Sequence, residues 1–165
     1  MNATLKRPFL ALTAADLMSA DVVMIPREMS LQTAAHLLSE SHVSGAPVVN
    51  ETGQCVGVLS TTDFMHWVGY GERCAARPDC SPSQSFHSAW QVVDVDALPK
   101  DAVGSYMTAN PVMVPLNTPI AELTRMMTDA HIHRIIVVDA TSRPLGIVSS
   151  TDLVAAVANA DRHDL

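Results

Sequence analysis

The sequence predicts an α+β protein built from two pseudo-symmetric copies of one small unit, and three observations carry that prediction. Shifted by 89 residues, the stretch 18–63 falls on 107–152 without a gap. Within each copy, apolar residues at helical spacing are followed by short continuous apolar runs of the kind that form covered strands. The whole chain is 165 residues and 17.7 kDa, a length that suits one domain or two very small ones, with ample capacity for a core. Self-similarity at a fixed offset is the most informative of the three, because it fixes the architecture before any element is assigned.

The elements follow in order. Met18-Ser19-Ala20 matches Met107-Thr108-Ala109, and Val23-Met24-Ile25-Pro26 matches Val112-Met113-Val114-Pro115. In the second copy Thr118 is an expected N-cap and Pro119 an expected first helical residue, opening a helix to about Ala130. Its apolar positions are Ile120, Leu123, Met126, Met127 and Ala130; the first copy repeats the pattern with Leu31, Ala34, Ala35, Leu37 and Leu38 after Ser30. Strands are expected at Ala46–Val49 and Ile135–Val138, then turns at Asn50-Glu-Thr-Gly53 and Asp139-Ala-Thr-Ser142. Gly57-Val-Leu and Gly146-Ile-Val form the next strands, each running into a helix that begins at a Ser/Thr/Asp cluster. The last helix, rich in Ala and Val, is expected to pack on its own copy. The boundaries are an N-terminal segment 1–14, a first domain 15–69, a connector 70–99, a second domain 100–160 and a tail 161–165.

Composition excludes several classes of function. Ten basic residues against 17 acidic ones give a net charge of -7, and no Lys/Arg stripe suits a phosphate backbone, so no nucleic-acid partner is expected. No apolar run approaches the ~18 residues of a membrane span, and the Lys6-Arg7 start leads into too short an apolar stretch for a signal peptide. Three cysteines are too few for a disulfide scaffold, so a reducing cytoplasm is the expected compartment. With 48% hydrophobic but only 4% aromatic residues, the core must be aliphatic. Nothing pairs a nucleophile with a base and an orienting acid, and Gly-rich phosphate loops are missing, so no enzyme is expected.

A duplicated unit that ends in Gly57-Val-Leu-Ser-Thr-Thr-Asp63 and again in Gly146-Ile-Val-Ser-Ser-Thr-Asp152 resembles a CBS-domain pair, or Bateman module. The preceding Val-Val strands and the Met-(Ser/Thr)-Ala openings belong to the same resemblance, which covers about 15–67 and 103–160. Ile132-His-Arg-Ile-Ile-Val-Val-Asp139 is similar to the repeats of the gamma regulatory subunit of the AMP-activated kinase. The resemblance implies tandem CBS domains, two β-α-β-β-α units packed as one disc with two clefts. Adenine nucleotides or other adenosyl ligands occupy such clefts, which makes AMP, ADP, ATP and S-adenosylmethionine the candidate ligands, with no cofactor required.

The residues suit such a ligand chemically. Asp63 and Asp152 offer acceptors to a ribose diol at a helix mouth. Ser60, Thr62, Ser149 and Thr151 add hydroxyls beside the free N–H groups of the helix N-terminus. His133 and Arg134 stand where the family places phosphate contacts, and Arg supplies a forked donor pair. The resemblance also implies composite sites. One combines Ile147, Ser149, Thr151, Asp152 and His133 with Val23, Val43 and Ser44; the other combines Val58, Ser60, Thr62 and Asp63 with Val112 and Ile132. The first copy departs from the pattern, since Ser44-Gly45 stand where the second has His133-Arg134, so the second-copy site is the stronger. The alternative reading of each Ser/Thr/Asp cluster is an ordinary helix cap.

The other polar residues have plainer readings. His36, His42 and His131 are expected at helix surfaces or boundaries, and Met126 and Met127 in packing. His66, Cys74, Cys80 and His87 include zinc-ligand types, but their spacing matches no tight knuckle, so an inert connector is expected, with a metal site or a Cys74–Cys80 redox pair as the alternatives, and Trp67, Phe86 and Trp90 anchoring it or forming a dimer surface. The functional expectation is a ligand-sensing regulatory module that dimerises and signals to an unknown effector protein in trans. The alternative is a structural dimerisation module with the same fold and no ligand.

Overall fold

A computed structural model describes residues 9–70 and 98–160. The helices are α1 (Ala14–Leu17), α2 (Leu31–Glu40), α3 (Thr61–Tyr70), α4 (Ile120–Asp129) and α5 (Ser150–Ala160). The strands are β1 (Ile25–Pro26), β2 (Gly45–Val49), β3 (Cys55–Ser60), β4 (Thr108–Ala109), β5 (Met113–Pro115), β6 (Arg134–Val138) and β7 (Pro144–Ser149). Single 3-10 turns occupy Phe9–Ala11 and Val103–Ser105. The connector residues Cys74, Cys80, Phe86, His87 and Trp90, the side chains of His66 and Trp67, and the tail 161–165 lie outside the described set. Among the described residues no helix is long and apolar enough to cross a membrane.

The chain groups into two compact units, Val23–Asn110 and Met1–Val22 with Pro111–Leu165. Each contains the expected β-α-β-β-α order. In the first, β1 pairs parallel with β2, and β2 pairs antiparallel with β3. The parallel pair needs a crossover, which α2 supplies; the antiparallel pair needs only the turn 50–54. The second unit repeats this with β5, β6 and β7, α4 making the crossover. Register shifts fall between Val48 and Val49 and between Val137 and Val138, the same place in both copies.

Each unit has its own aliphatic core. In the first, Ile25, Leu31, Ala34, Ala35, Leu38, Val48, Leu59 and Phe64 cluster; in the second, Ala14, Val114, Leu123, Met127, Ile135, Val137 and Val148 do so. Every large aliphatic residue fully buried in this way contributes roughly 1.5–3 kcal/mol. The helix faces match the periodicity at every position but one: Ala130 is exposed and caps the end of α4. Helix α5 packs within its own unit but buries no residue completely.

One local detail corrects the sequence reading. Thr118 does not cap α4, because its hydroxyl donates to the Pro115 carbonyl at 2.9 Å and Pro119 occupies the cap position. The first copy shows the correct placement: Ser30, which aligns with Pro119, caps α2 by accepting from the Thr33 amide at 3.1 Å. In the first copy Pro47 stands where the second has Ile136. The Ile136 amide donates to the Val112 carbonyl at 3.2 Å, whereas proline has no amide to donate. Accordingly β1 pairs over two residues and β5 over three.

The two turns are built alike. Asn50 Oδ1 accepts from the amides of Thr52 (3.1 Å) and Gln54 (2.9 Å) and from the Thr52 hydroxyl (2.7 Å). Asp139 Oδ1 accepts from the amides of Thr141 (2.7 Å) and Arg143 (2.9 Å) and from the Thr141 hydroxyl (2.7 Å). The Arg143 amide and then the Thr141 hydroxyl hold the Asp139 carboxyl below its ordinary range. A carboxyl so depressed stabilises the fold above its unfolded pKa and loses that contribution as pH falls through the folded value. Asp139→Asn is expected to be tolerated at neutral pH, since Asn50 makes the same turn. Any deficit against the parent should shrink on acidification. Thermal unfolding at neutral and acid pH checks this; a deficit that widens in acid would contradict it.

The compact units do not follow the repeat boundaries. Met18–Ala20 leads the first copy in sequence, yet Ser19 exchanges two backbone hydrogen bonds with Ile147 of the second copy, at 3.0 and 3.1 Å. Thr108–Ala109 leads the second copy but forms β4 beside β3 of the first, with Thr108 opposite Val58 and Ala109 opposite Gly57. Each third strand is thus flanked by the opening segment of the other copy. A glycine stands at each crossing, where the opening segment approaches closely. A Cβ on Gly57 would meet the Met107 Cγ and the Thr108 carbonyl at 3.0 Å, and one on Gly146 would meet the Met18 Cγ at 2.8 Å and Cβ at 2.9 Å.

Candidate functional site

The β2–β3 and β6–β7 hairpins bring each helix-initiating cluster beside the end of its neighbouring strand. Gly45 pairs with Ser60, and Arg134 with Ser149. The loop before each strand is tied to the helix start: the Ser44 carbonyl accepts from the Thr61 amide at 3.0 Å, and the His133 carbonyl from the Ser150 amide at 2.9 Å. His42 and His131, exposed just after α2 and α4, take positive φ values of 54° and 51°. They are therefore helix-terminating residues in the left-handed region, the boundary role expected of them.

In the second unit these connections gather Ile147, Ser149, Thr151, Asp152, His133 and Arg134. Asp152 Oδ2 accepts from the Ser149 amide at 2.7 Å and from its hydroxyl at 2.6 Å, while Ser149 Oγ accepts from the Asp152 amide at 3.3 Å. This is a reciprocal capping box at the start of α5. Asp152 Oδ1 and the exposed Thr151 hydroxyl have no hydrogen-bond partner among the described residues. The loop thus presents an anionic acceptor, a hydroxyl and the first-turn amides of a helix, beside the exposed His133 and Arg134.

The first unit gathers Val58, Ser60, Thr62, Asp63, Val43 and Ser44 in the same way, with a different hydrogen-bond pattern. Asp63 Oδ2 accepts from the Ser60 amide at 2.7 Å and its hydroxyl at 2.8 Å. The Thr62 and Ser60 hydroxyls are 2.7 Å apart, and Asp63 Oδ1 accepts from the Thr108 hydroxyl at 3.0 Å. Both carboxylate oxygens are therefore engaged. The counterpart of Arg134 is Gly45, where a Cβ would lie 3.0 Å from the Leu59 carbonyl oxygen and 3.1 Å from Ser60 Cβ.

The capping reading and the binding reading coexist, since one carboxylate oxygen serves the cap and the other is available or not. The box alone is no mark of a ligand: Thr13 and Asp16 form the same arrangement at the four-residue α1, with bonds of 2.9 and 2.7 Å. Sequence reasoning missed Thr108, quoted only as part of the opening motif. Its register opposite Val58, set by the exchanged segment, brings its hydroxyl to Asp63. The remaining residues of the composite sets, Val23, Val43 and Ser44 on one side and Val112 and Ile132 on the other, belong to the opposite unit in each case.

Elsewhere, a recess of about 510 Å³ lies at the far end of β2, lined by Pro26, Arg27, Glu28, Val49, Asn50, Glu51 and Thr52. It shares no residue with either cluster. Burial pushes the Cys55 thiol up, away from reactivity, and its sulfur lies 3.4 Å from the Gly57 carbonyl. Among the described residues no three His, Cys, Asp or Glu side chains gather as a metal site.

Comparison with known proteins matches this architecture to a family. The CBS domain model matches residues 14–70 and 103–159, and the chain belongs to the CBS-domain family, with two repeats. It is 26% identical over 139 residues to the chloroplastic CBS domain-containing protein CBSX2 of Arabidopsis thaliana, covering 81% of this chain and 58% of that protein. Against the 5'-AMP-activated protein kinase subunit gamma-3 of Sus scrofa it is 26% identical over 139 residues, covering 83% of this chain and 23% of that subunit. The chain therefore spans 58% or less of the length of these relatives. Among solved structures, the CBS domain pair of MJ0100, in complex with 5'-methylthioadenosine and S-adenosyl-L-methionine, matches with a TM-score of 0.69 at 19% identity, covering 90% of this chain and 98% of that one. CBSX2 in complex with AMP matches with a TM-score of 0.68 at 23% identity, covering 91% and 98%. At these identities the structural likeness establishes the fold, a tandem CBS pair.

Proposed function

We propose that this chain is a regulatory module that senses an adenosyl ligand and signals to a partner protein in trans. The observation that carries the reading is the second-copy loop, where Asp152 caps α5 with one oxygen and leaves the other without a partner among the described residues, next to the Thr151 hydroxyl and the amides of the helix start. A ribose diol would donate to that oxygen, and a phosphate would lie toward His133 and Arg134. The AMP complex of CBSX2 and the S-adenosylmethionine complex of MJ0100 support the class of ligand. ADP and ATP complete the candidate set. Val23, Val43 and Ser44 would complete the second-copy site, and Val112 and Ile132 the first. Differential affinity of the ligand for two arrangements of the module would shift their populations, which is the signal. The reading assigns recognition to the loop residues and no catalysis, and it places the module in the cytoplasm, away from nucleic acid and membrane.

Calorimetric titration of purified, nucleotide-stripped protein with AMP, ADP, ATP and S-adenosylmethionine tests this. Saturable binding of at least one is expected, and silence from all four would contradict it. Such silence would favour the second reading, a dimerisation module without ligand, which draws on the exposed Val154 and Val157 of α5 (67% and 52% exposed). Both readings include a homodimer, formed through apolar surface of this kind. Light scattering at tens of micromolar should report a dimer, and a monomer would contradict that part of the proposal.

A further inference from the structure

The two loops are not equivalent, and one of the differences is a single hydroxyl. Thr108 and Ser19 hold the same position in the repeat and the same backbone register, opposite Val58 and Ile147. The Thr108 hydroxyl donates to Asp63 Oδ1 at 3.0 Å. Ser19 makes only its backbone bonds to Ile147, and its hydroxyl reaches no partner among the described residues. The β-branched threonine has few χ1 choices, so the strand that carries it also aims its hydroxyl, whereas serine is free to rotate.

We infer that Thr108 is a specificity-determining residue of the first-copy site, a latch that occupies the carboxylate oxygen of Asp63 a ribose diol would otherwise take. This rests on the adenosyl-sensing reading and deepens it. A ligand entering the second-copy loop finds Asp152 Oδ1 ready. One entering the first-copy loop must share that charged acceptor with the Thr108 hydroxyl or displace it. The second-copy site therefore fills first, and occupation of the first is coupled to the Thr108–Asp63 hydrogen bond. The latch also separates ligands: those that bind without a ribose diol have no need to displace Thr108.

Thr108→Val tests the latch, because valine keeps the volume and branching of threonine and removes only the hydroxyl. Measured in the Asp152→Ala background, which weakens the second-copy site by about 10- to 150-fold, AMP affinity of the first-copy site by calorimetry is expected to rise roughly tenfold on Thr108→Val. Unchanged affinity overturns the latch, and weakened affinity overturns it by making Thr108 a ligand contact. A second measurement needs no ligand and so separates this inference from the sensing reading. In a double-mutant cycle of unfolding stability, Thr108→Val and Asp63→Ala are expected to couple, whereas Ser19→Ala and Asp152→Ala are expected to add. Coupling in the first pair supports the latch even in a chain that binds none of the four ligands; additivity there overturns it.

Discussion

Gly146→Ala is expected to destabilise the unit that contains β5, β6 and β7 by about 1–3 kcal/mol, the usual cost of forcing a group into a filled space. The added methyl would meet the Met18 sulfur and also its Cγ at 2.8 Å and Cβ at 2.9 Å. A flexible side chain can turn its far end away from an intruder, but Met18 Cβ is fixed to the backbone. The backbone around Met18 must therefore shift. Ser19 holds that backbone to β7 through its two bonds with Ile147, so those bonds are the first casualties. Denaturant unfolding measures the loss, and Met18→Ala introduced beside Gly146→Ala should recover part of it. Parent-like stability in the single variant would contradict the close approach. Gly57→Ala is a milder case, with the Met107 sulfur and Cγ and the Thr108 carbonyl as the atoms met.

Asp152→Ala is expected to weaken adenosyl binding at the second-copy loop by about 10- to 150-fold, corresponding to roughly 1.5–3 kcal/mol for hydrogen bonds to a charged group. The substitution has a second, structural consequence. Asp152 Oδ2 is the acceptor for the Ser149 amide and hydroxyl, so the variant also loses its capping box, at about 0.5–2 kcal/mol of stability. Asp152→Asn separates the two effects. The amide oxygen can keep the bond from the Ser149 amide, while the charge that favours the diol is gone. Calorimetry with each variant should show weakened binding in both, and unfolding should show the larger stability loss in Asp152→Ala. Parent-like affinity in both variants would remove Asp152 from the site.

Much of this was legible in the repeat. The apolar faces of α2 and α4, the covered strands and the paired turns all follow from local periodicity, and each was stated twice in the chain. The cap of α4 was misplaced by reading Thr118 in isolation, although Ser30 at the aligned position of Pro119 marked the right residue. What local sequence could not carry was the exchange of opening segments. Met18 and Met107 look like leaders of their own copies, and only the folded chain shows each lying across the third strand of the other. For the same reason the loops looked alike in sequence up to Ser44-Gly45. The deciding contact for Asp63 comes from Thr108, 45 residues away. Long-range pairing of this kind leaves no periodic signal. Its only trace was that the Met-(Ser/Thr)-Ala motif recurs with the rest of the repeat.

The most direct test of the central claim is an amide-resolved NMR titration of the chain with AMP, ADP, ATP and S-adenosylmethionine in turn. At least one ligand should move the amides of Arg134 and Ser149–Asp152 saturably, at concentrations below those that move Ser60–Asp63. No response at either loop from any of the four, or a first response at the recess around Arg27 and Glu51, would contradict the account.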